Sequence, residues 1–275
     1  MKFSQYELYD LINRPGTLWL AYADLSDANL RGVRLPGAVL RGANLGQSFL
    51  NNAVLSEANL NDANLRAVVL LEADLSRSTL VNADLTGADL SGANLTNSNL
   101  GGAKLREARL NEASLREANL RGANLTNAVM HAVNLINANL GGADLSNARM
   151  AESNLQDASL IRANLSDADA VSSLFTSADL SNCTLVGANL SKSYLLNADL
   201  SEARLSKADL SEADLTGANL SKADLRNAYL YLANLSGANL TGANLLNADL
   251  ARVKYNKATK WPEGFDPKAA GAVVE

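Results

Sequence analysis

The chain has 275 residues, a formal net charge of −5, one cysteine and one histidine. A single cysteine excludes an internal disulfide, and a single histidine leaves a histidine-based metal site or catalytic triad without its partners. The charge is small and its acids and bases are interspersed, which does not favour binding to nucleic acid. We therefore expect no cofactor, no metal ion, no direct contact with nucleic acid and no enzyme activity.

The N-terminal segment 1–16 predicts a short helix. Ser4 and Glu7 have the spacing of a capping box, and Phe3 and Leu8 have that of a hydrophobic staple. We interpret this helix as an N-terminal cap that covers an exposed apolar edge of the structure that follows. The alternative is an amphipathic helix that binds a partner.

A repeat with a period of five fills the region 17–255, which we predict to be one domain. The unit is Ala-(Asp/Asn)-Leu-x-x, and Leu stands at every fifth position from 25 to 250 with few exceptions. The exceptions are Met130, Met150, Ala170 and Phe175.

A period of five fits neither a helix nor a continuous strand. Successive Leu residues would drift by about 140° around an α-helix, and they would alternate between the two faces of a strand. In a short extended piece, however, Ala and Leu are two positions apart and both point inward. The remaining pair of residues must then turn the chain, and Gly or Asn often fills the second position of that pair, as positive φ requires. The chain therefore winds into a solenoid.

Irregular residues indicate that one coil holds four repeats. Ser153, Ser173 and Ser193 all replace the inward Ala, and a constant interval of four repeats separates them. The same interval brings charges of opposite sign next to each other, as at Glu202 and Lys222. We expect about 20 residues per coil and about 12 coils with the usual strand spacing.

The run A-D-L-S-D-A-N-L at residues 23–30, followed by dozens of similar units, resembles the pentapeptide-repeat proteins. The resemblance implies an all-β fold, a right-handed quadrilateral β-helix with Leu and Ala columns in its core. The family is abundant in cyanobacteria, which favours such an origin. Some members imitate the width and negative charge of B-DNA and bind type II topoisomerases.

The C-terminal segment 256–275 leaves the repeat and predicts a C-terminal cap. Trp261 and Phe265 are large aromatic residues outside the repeat, and we expect one of them to cover the last coil. With both ends capped, a monomer is expected rather than an end-to-end dimer.

The sequence also predicts a compartment. The N-terminus lacks the basic and apolar regions of a signal peptide, and the chain has no apolar stretch long enough to form a transmembrane helix. We expect a cytoplasmic protein that does not contact a membrane.

The outward positions offer one candidate surface for a protein partner. Aromatic residues are enriched in the cores of interfaces, and several apolar residues face outward within about two coils of one another. These are Tyr194, Leu196, Tyr229, Tyr231 and Leu232.

Three functions follow as hypotheses. The first is a rigid, non-enzymatic scaffold that presents a face to an unknown protein partner. The second is a DNA-mimicking inhibitor or protector of a type II topoisomerase, which the small net charge and the basic outward residues between 104 and 121 disfavour. The third is a structural spacer without a specific partner.

Overall fold

The computed structural model describes Glu7, Asp10, Leu11 and residues 16–275. The chain forms two compact units, Met1–Asn139 and Leu140–Glu275. Each unit is a four-sided β-helix built from the pentapeptide unit. In the described part of the chain, none of the helical segments has the length and apolar character needed to cross a membrane.

The N-terminal helix is only partly described. Glu7, Asp10 and Leu11 are helical, whereas Phe3, Ser4 and Leu8 lie outside the described residues. The capping box and the hydrophobic staple therefore stay predictions.

Three backbone hydrogen bonds join each side of a coil to the next coil. In the first unit, the N–H groups of Leu45 and Gln47 donate to the carbonyls of Asn64 and Arg66, at 2.7 and 2.9 Å. The N–H of Asn64 donates back to the carbonyl of Ala43, at 2.9 Å. These bonds flank the parallel bridge of Asn44 with Asn64, which has an offset of 20 residues. This offset corresponds to four repeats, so each coil has the four sides that the sequence predicted.

The second unit repeats this arrangement and ends in a small sheet. The N–H of Leu205 donates to the carbonyl of Asp224 at 2.8 Å, and the N–H of Asp224 donates to Ala203 at 2.9 Å. Strand β1, Lys254–Tyr255, pairs in parallel with strand β2, Val273–Val274.

The inward columns form the core as predicted. Leu at these positions is buried in both units, and so are Ala170, Phe175 and the inward Ala residues except the half-buried Ala23, Ala28 and Ala248 near the ends. The small Ala170 and the large Phe175 occupy consecutive inward positions on adjoining sides of the coil. The buried serines satisfy their hydroxyl groups on the backbone: Ser173 donates to the carbonyl of Met150 at 2.7 Å, and Ser193 to that of Leu190 at 2.6 Å.

The second turn position has positive φ in every repeat from Tyr22 to Arg252. Gly and Asn were expected there, but Glu, Lys, Arg and Leu232 also adopt φ near +60°. The N–H of the following residue donates to the preceding Leu carbonyl across the turn, as in Ser48 to Leu45 at 3.1 Å. Positive φ at the third position of such a turn is the requirement of type II.

The C-terminal residues pack aromatic rings against the last coil. The ring of Trp261 meets Tyr255 edge to face, at 5.4 Å between centroids, and stacks on Phe265, also at 5.4 Å. Asp266 accepts hydrogen bonds from the N–H groups of Lys268 and Ala269, which starts a short turn. This geometry agrees with a cap over 256–275, and the capping role itself stays a prediction.

Candidate protein-contact surface

The Asp or Asn at the centre of each side has a structural role that the sequence reasoning missed. Its Oδ1 accepts the N–H of the residue two positions later, as in Arg121 to Asn119 at 3.2 Å. Its Nδ2, when it is Asn, also reaches the previous coil, as in Asn119 to Asn99 at 3.0 Å. These residues cap their own turns and form ladders along a side. A centre residue that cannot cap a turn therefore stands out.

Tyr229 is such a residue, and Tyr231 and Leu232 follow it on the adjoining turn. All three are exposed, Tyr229 at 55% of its surface. Their backbone is fixed: the carbonyls of Tyr229 and Tyr231 accept hydrogen bonds from Leu210 and Glu212, at 2.7 and 2.8 Å. We name these three residues the tyrosine cluster. The rings are therefore presented to solvent from a rigid backbone.

Tyr194 and Leu196 lie almost two coils before the tyrosine cluster. Tyr194 is 49% exposed and Leu196 is half-buried. Tyr194 pairs by a backbone bridge with Leu174 on the previous coil and with Asp214 on the next. Leu174 was not among the predicted contact residues, although its position one coil before Tyr194 could have identified it.

The structure does not join these residues into one apolar patch. Backbone bridges join Tyr229 to Asp209 on the previous coil and to Asp249 on the next coil. Asp214 lies beside Tyr194, on the coil that follows Tyr194. Carboxylates thus separate Tyr194 from the tyrosine cluster. The predicted surface consists of two small apolar groups with acidic residues between them.

The first unit has an apolar group of its own. Phe49 and Val69 are bridged on neighbouring coils, and the guanidinium of Arg31 lies 4.4 Å from the centroid of the Phe49 ring. Phe49 is only 38% exposed. The stacked guanidinium covers part of the ring and makes this group less accessible than Tyr229.

Ion pairs link many of the outward charges. In the first unit the pairs are Arg41–Asp62, Arg66–Asp84, Arg77–Glu57, Arg106–Glu107 and Arg109–Asp89. In the second unit Lys222 pairs with Glu202 at 3.2 Å, as the coil length predicted. Asp224 pairs with Arg226 at 2.7 Å, and hydrogen bonds from that guanidinium lower the pKa of the Asp224 carboxyl. These ion pairs neutralise several of the acidic residues locally.

The titratable residues within the described ranges form no metal site. No group of three or more His, Cys, Asp or Glu in the residues that the structure describes could hold a metal ion.

Cys183 is buried, and its thiol donates to the carbonyl of Leu160 at 2.8 Å. Burial raises the pKa of this thiol to about 12, which keeps it protonated and unreactive.

The family assignment follows from comparison of the whole repeat region. A family model described as pentapeptide repeats matches eight copies, which together cover residues 20–167 and 173–254. The chain belongs to the pentapeptide-repeat family. The stretch 168–172, between matched copies, contains Ala170, one of the few departures from the Leu column.

Solved structures of pentapeptide-repeat proteins are similar to this chain. HetL, involved in heterocyst differentiation regulation in the cyanobacterium Nostoc sp. strain PCC 7120, is 36% identical; the match covers 87% of this chain and 91% of HetL, with a TM-score of 0.36. The Nostoc protein alr5209 is 38% identical over 39% of this chain and 84% of its own, with a TM-score of 0.25.

A more distant similarity is to QnrB1, a plasmid-mediated fluoroquinolone resistance protein. Its full-length structure is 19% identical, covering 72% of this chain and 91% of QnrB1, with a TM-score of 0.42. A search of curated proteins found no match. The matches agree on pentapeptide repeats and differ in the roles of the proteins that carry them.

Proposed function

We propose that this pentapeptide-repeat protein is a non-enzymatic scaffold that presents the tyrosine cluster to a protein partner. The observation that carries the proposal is the exposure of Tyr229, Tyr231 and Leu232 on a turn whose backbone is held on both sides. Aromatic residues displayed without loss of backbone order bind at a low cost in conformational entropy.

The acidic residues around the cluster indicate the chemistry of the partner. Asp209 and Asp249 flank Tyr229 on the neighbouring coils. A partner surface with an apolar centre and basic residues at its rim would complement this arrangement, because rim charges steer association while the buried aromatic residues supply affinity.

Imitation of DNA is less well supported. A mimic needs uncompensated negative charge along its surface, whereas Asp62, Asp84 and Asp89 each form an ion pair with an arginine. The identity with QnrB1 is low and concerns the fold alone.

The experiment is affinity capture from a lysate of the source cells, with the wild-type chain and a Tyr229→Ser/Tyr231→Ser variant compared by quantitative mass spectrometry. Ile161→Ser is the matched control, since Ile161 is 40% exposed on a turn outside the cluster. We expect the wild-type chain to capture a partner that stays bound at high salt. The double variant should capture at least tenfold less of that partner, and the control should capture the same amount as the wild type.

Two results would contradict the proposal. One is a partner that the double variant captures as well as the wild type. The other is a type II topoisomerase that is captured at low salt, released at high salt and unaffected by the tyrosine substitutions, which would establish charge mimicry instead.

A further inference from the structure

In the last coil of the second unit, the side 243–247 is left with an unfinished backbone ladder. On its N-terminal edge, the carbonyls of Asn244 and Leu246 accept hydrogen bonds from Leu225 and Asn227, at 2.9 and 3.0 Å. The N–H of Asn244 donates to the carbonyl of Ala223 at 2.9 Å. This side, 243–247, is therefore paired in the usual way with the coil before it.

On its other edge the same side has no partner strand. Elsewhere each side offers two N–H donors and one carbonyl acceptor to the next coil. On this side those groups are the N–H groups of Leu245 and Asn247 and the carbonyl of Ala243. Within residues 16–275, no backbone group pairs with any of these three. We name this the open edge.

The reason for the open edge lies in the chain that follows. Asn239 bridges Lys260 rather than residue 259, so the register has slipped by one position. The next residues are Trp261 and Pro262, and Pro has no N–H to continue a ladder. The chain then leaves the coil. It returns at Gly271, whose carbonyl accepts a hydrogen bond from the N–H of Arg252 at 2.9 Å, and at β2, whose Val273 donates to the carbonyl of Val253 at 2.8 Å.

A groove of about 460 Å³ runs along the open edge. One wall is the open edge itself, with Leu245 and the 62% exposed Leu246, and the other wall is formed by Pro262 and Phe265. The remaining lining residues are Ala243, Asn247, Glu263 and Gly264. The groove thus combines unpaired backbone groups with apolar side chains, which are the two components that bind an extended peptide by strand addition.

We propose that this groove binds an extended segment of a partner protein as an added parallel strand. The two N–H donors and the one carbonyl acceptor of the open edge are the groups that each coil uses to pair with the next, so the segment binds as one more side of a coil. To continue the Ala and Leu columns, it must supply a small–x–leucine triplet, with its small and Leu residues directed toward Ala243 and Leu245. Glu263 is exposed at the rim, and we expect it to favour a basic residue beside the triplet.

This inference goes beyond the tyrosine cluster, because the two sites share no residue. A Tyr229→Ser/Tyr231→Ser variant should bind such a segment as the wild type does. Failure of one proposal therefore leaves the other standing.

The probe is a fluorescein-labelled peptide with the sequence of residues 218–226, which contains two such triplets and two basic residues. We expect saturable binding to the full chain by fluorescence anisotropy, and slower hydrogen exchange of the Leu245 and Asn247 amides in its presence. N-methylation at the centre of each triplet removes the donor for Ala243 and should weaken binding at least tenfold.

Leu246→Arg tests the groove from the side of the protein. Leu246 is exposed, so its replacement should leave the fold intact, which circular dichroism and thermal unfolding will check. The affinity for the peptide should fall at least tenfold. Ile161→Arg, at the equivalent turn position of another side and likewise exposed, is the control and should bind as the wild type does.

The proposal is overturned by absence of saturable binding, or by binding that neither N-methylation nor Leu246→Arg weakens. It is also overturned if the chain pairs with a second copy at this edge, seen as a dimer that Leu246→Arg converts to a monomer while the peptide does not compete.

Discussion

At the scale of the residue, the two turn positions of each repeat impose different requirements. The second position has positive φ in every repeat, and between 22 and 252 it never holds Val, Ile or Thr. The first position holds all three, for example Val81, Thr126 and Ile161. A β-branched side chain at positive φ is strongly disfavoured, so the distinction has a steric origin.

This asymmetry predicts unequal effects of one substitution at neighbouring positions. Asn182 has φ of 59°, and Asn182→Val should lower the free energy of unfolding by about 1–2 kcal/mol. Ser181→Val is the matched control and should change it by less than about 0.5 kcal/mol. Urea denaturation of both variants measures the difference. Equal losses would contradict the assigned turn geometry.

Cys183 provides a second test at this scale. Burial raises the pKa of its thiol to about 12 from an ordinary value of 9.0. Because the folded pKa is the higher one, the unfolded chain releases the proton first. The resulting contribution to stability is complete below pH 9 and is lost as the pH rises toward 12.

We therefore expect native Cys183 to react with iodoacetamide at pH 8.5 at least a hundredfold more slowly than glutathione. The rate should increase only in urea concentrations that unfold the chain. Alkylation of the native protein at the rate of glutathione would show that the thiol is accessible, in conflict with its burial.

At the scale of the element, the inward and outward positions of one side differ in what they contribute. Leu120 is completely buried, whereas Asn119 binds the turn N–H of Arg121 and the side chain of Asn99. The Leu supplies core packing, and the Asn supplies hydrogen bonds at the surface.

Leu120→Asp should lower the free energy of unfolding by on the order of 4–5 kcal/mol, because the carboxylate is buried without a partner. Asn119→Ala should cost about 1 kcal/mol, since it removes two partly exposed hydrogen bonds. Thermal unfolding monitored by circular dichroism measures both. Similar losses from the two substitutions would show that the inward and outward assignments are wrong.

The sequence predicted the side of each residue but not every partner. Burial of Leu and Ala, the length of the coil and the Lys222–Glu202 pair follow directly from periodicity. The cap that Asn119 places on its own turn was missed, because an outward Asn in a repeat looks like a solvated residue. The available signal was that Asp or Asn recurs in the sequence two positions before the first residue of most turns. The pairing of Asp224 with Arg226 was missed because it is a local bidentate contact between residues two positions apart, which the coil length does not predict.

The candidate surface was predictable only in part, for the same reason. Tyr229, Tyr231 and Leu232 are adjacent in sequence, so their grouping needed no long-range information. Whether Tyr194 belongs to the same group depends on which side of the coil it occupies, almost two coils away. In the structure, Asp214 lies beside Tyr194 on the next coil, between Tyr194 and the tyrosine cluster. The open edge could not be predicted at all, since it results from the slip in register before Lys260.

At the scale of the whole molecule, stability comes from many equivalent increments rather than from one large core. Each side of a coil repeats the same three backbone hydrogen bonds and buries the same two side chains. In such repeat arrays, stability is close to a sum over units and their neighbours. The outward residues are then free to vary without loss of the fold.

The measurement that tests this account most directly is hydrogen exchange at the resolution of single amides. We expect slow exchange of the Leu and second-turn amides in the interior of each unit, since both donate to the next coil. The amides of Leu245 and Asn247, at the open edge, should exchange fast. Fast exchange of Leu45 or Leu205, or protection of Leu245 and Asn247 in the isolated chain, would contradict the coil ladder described here.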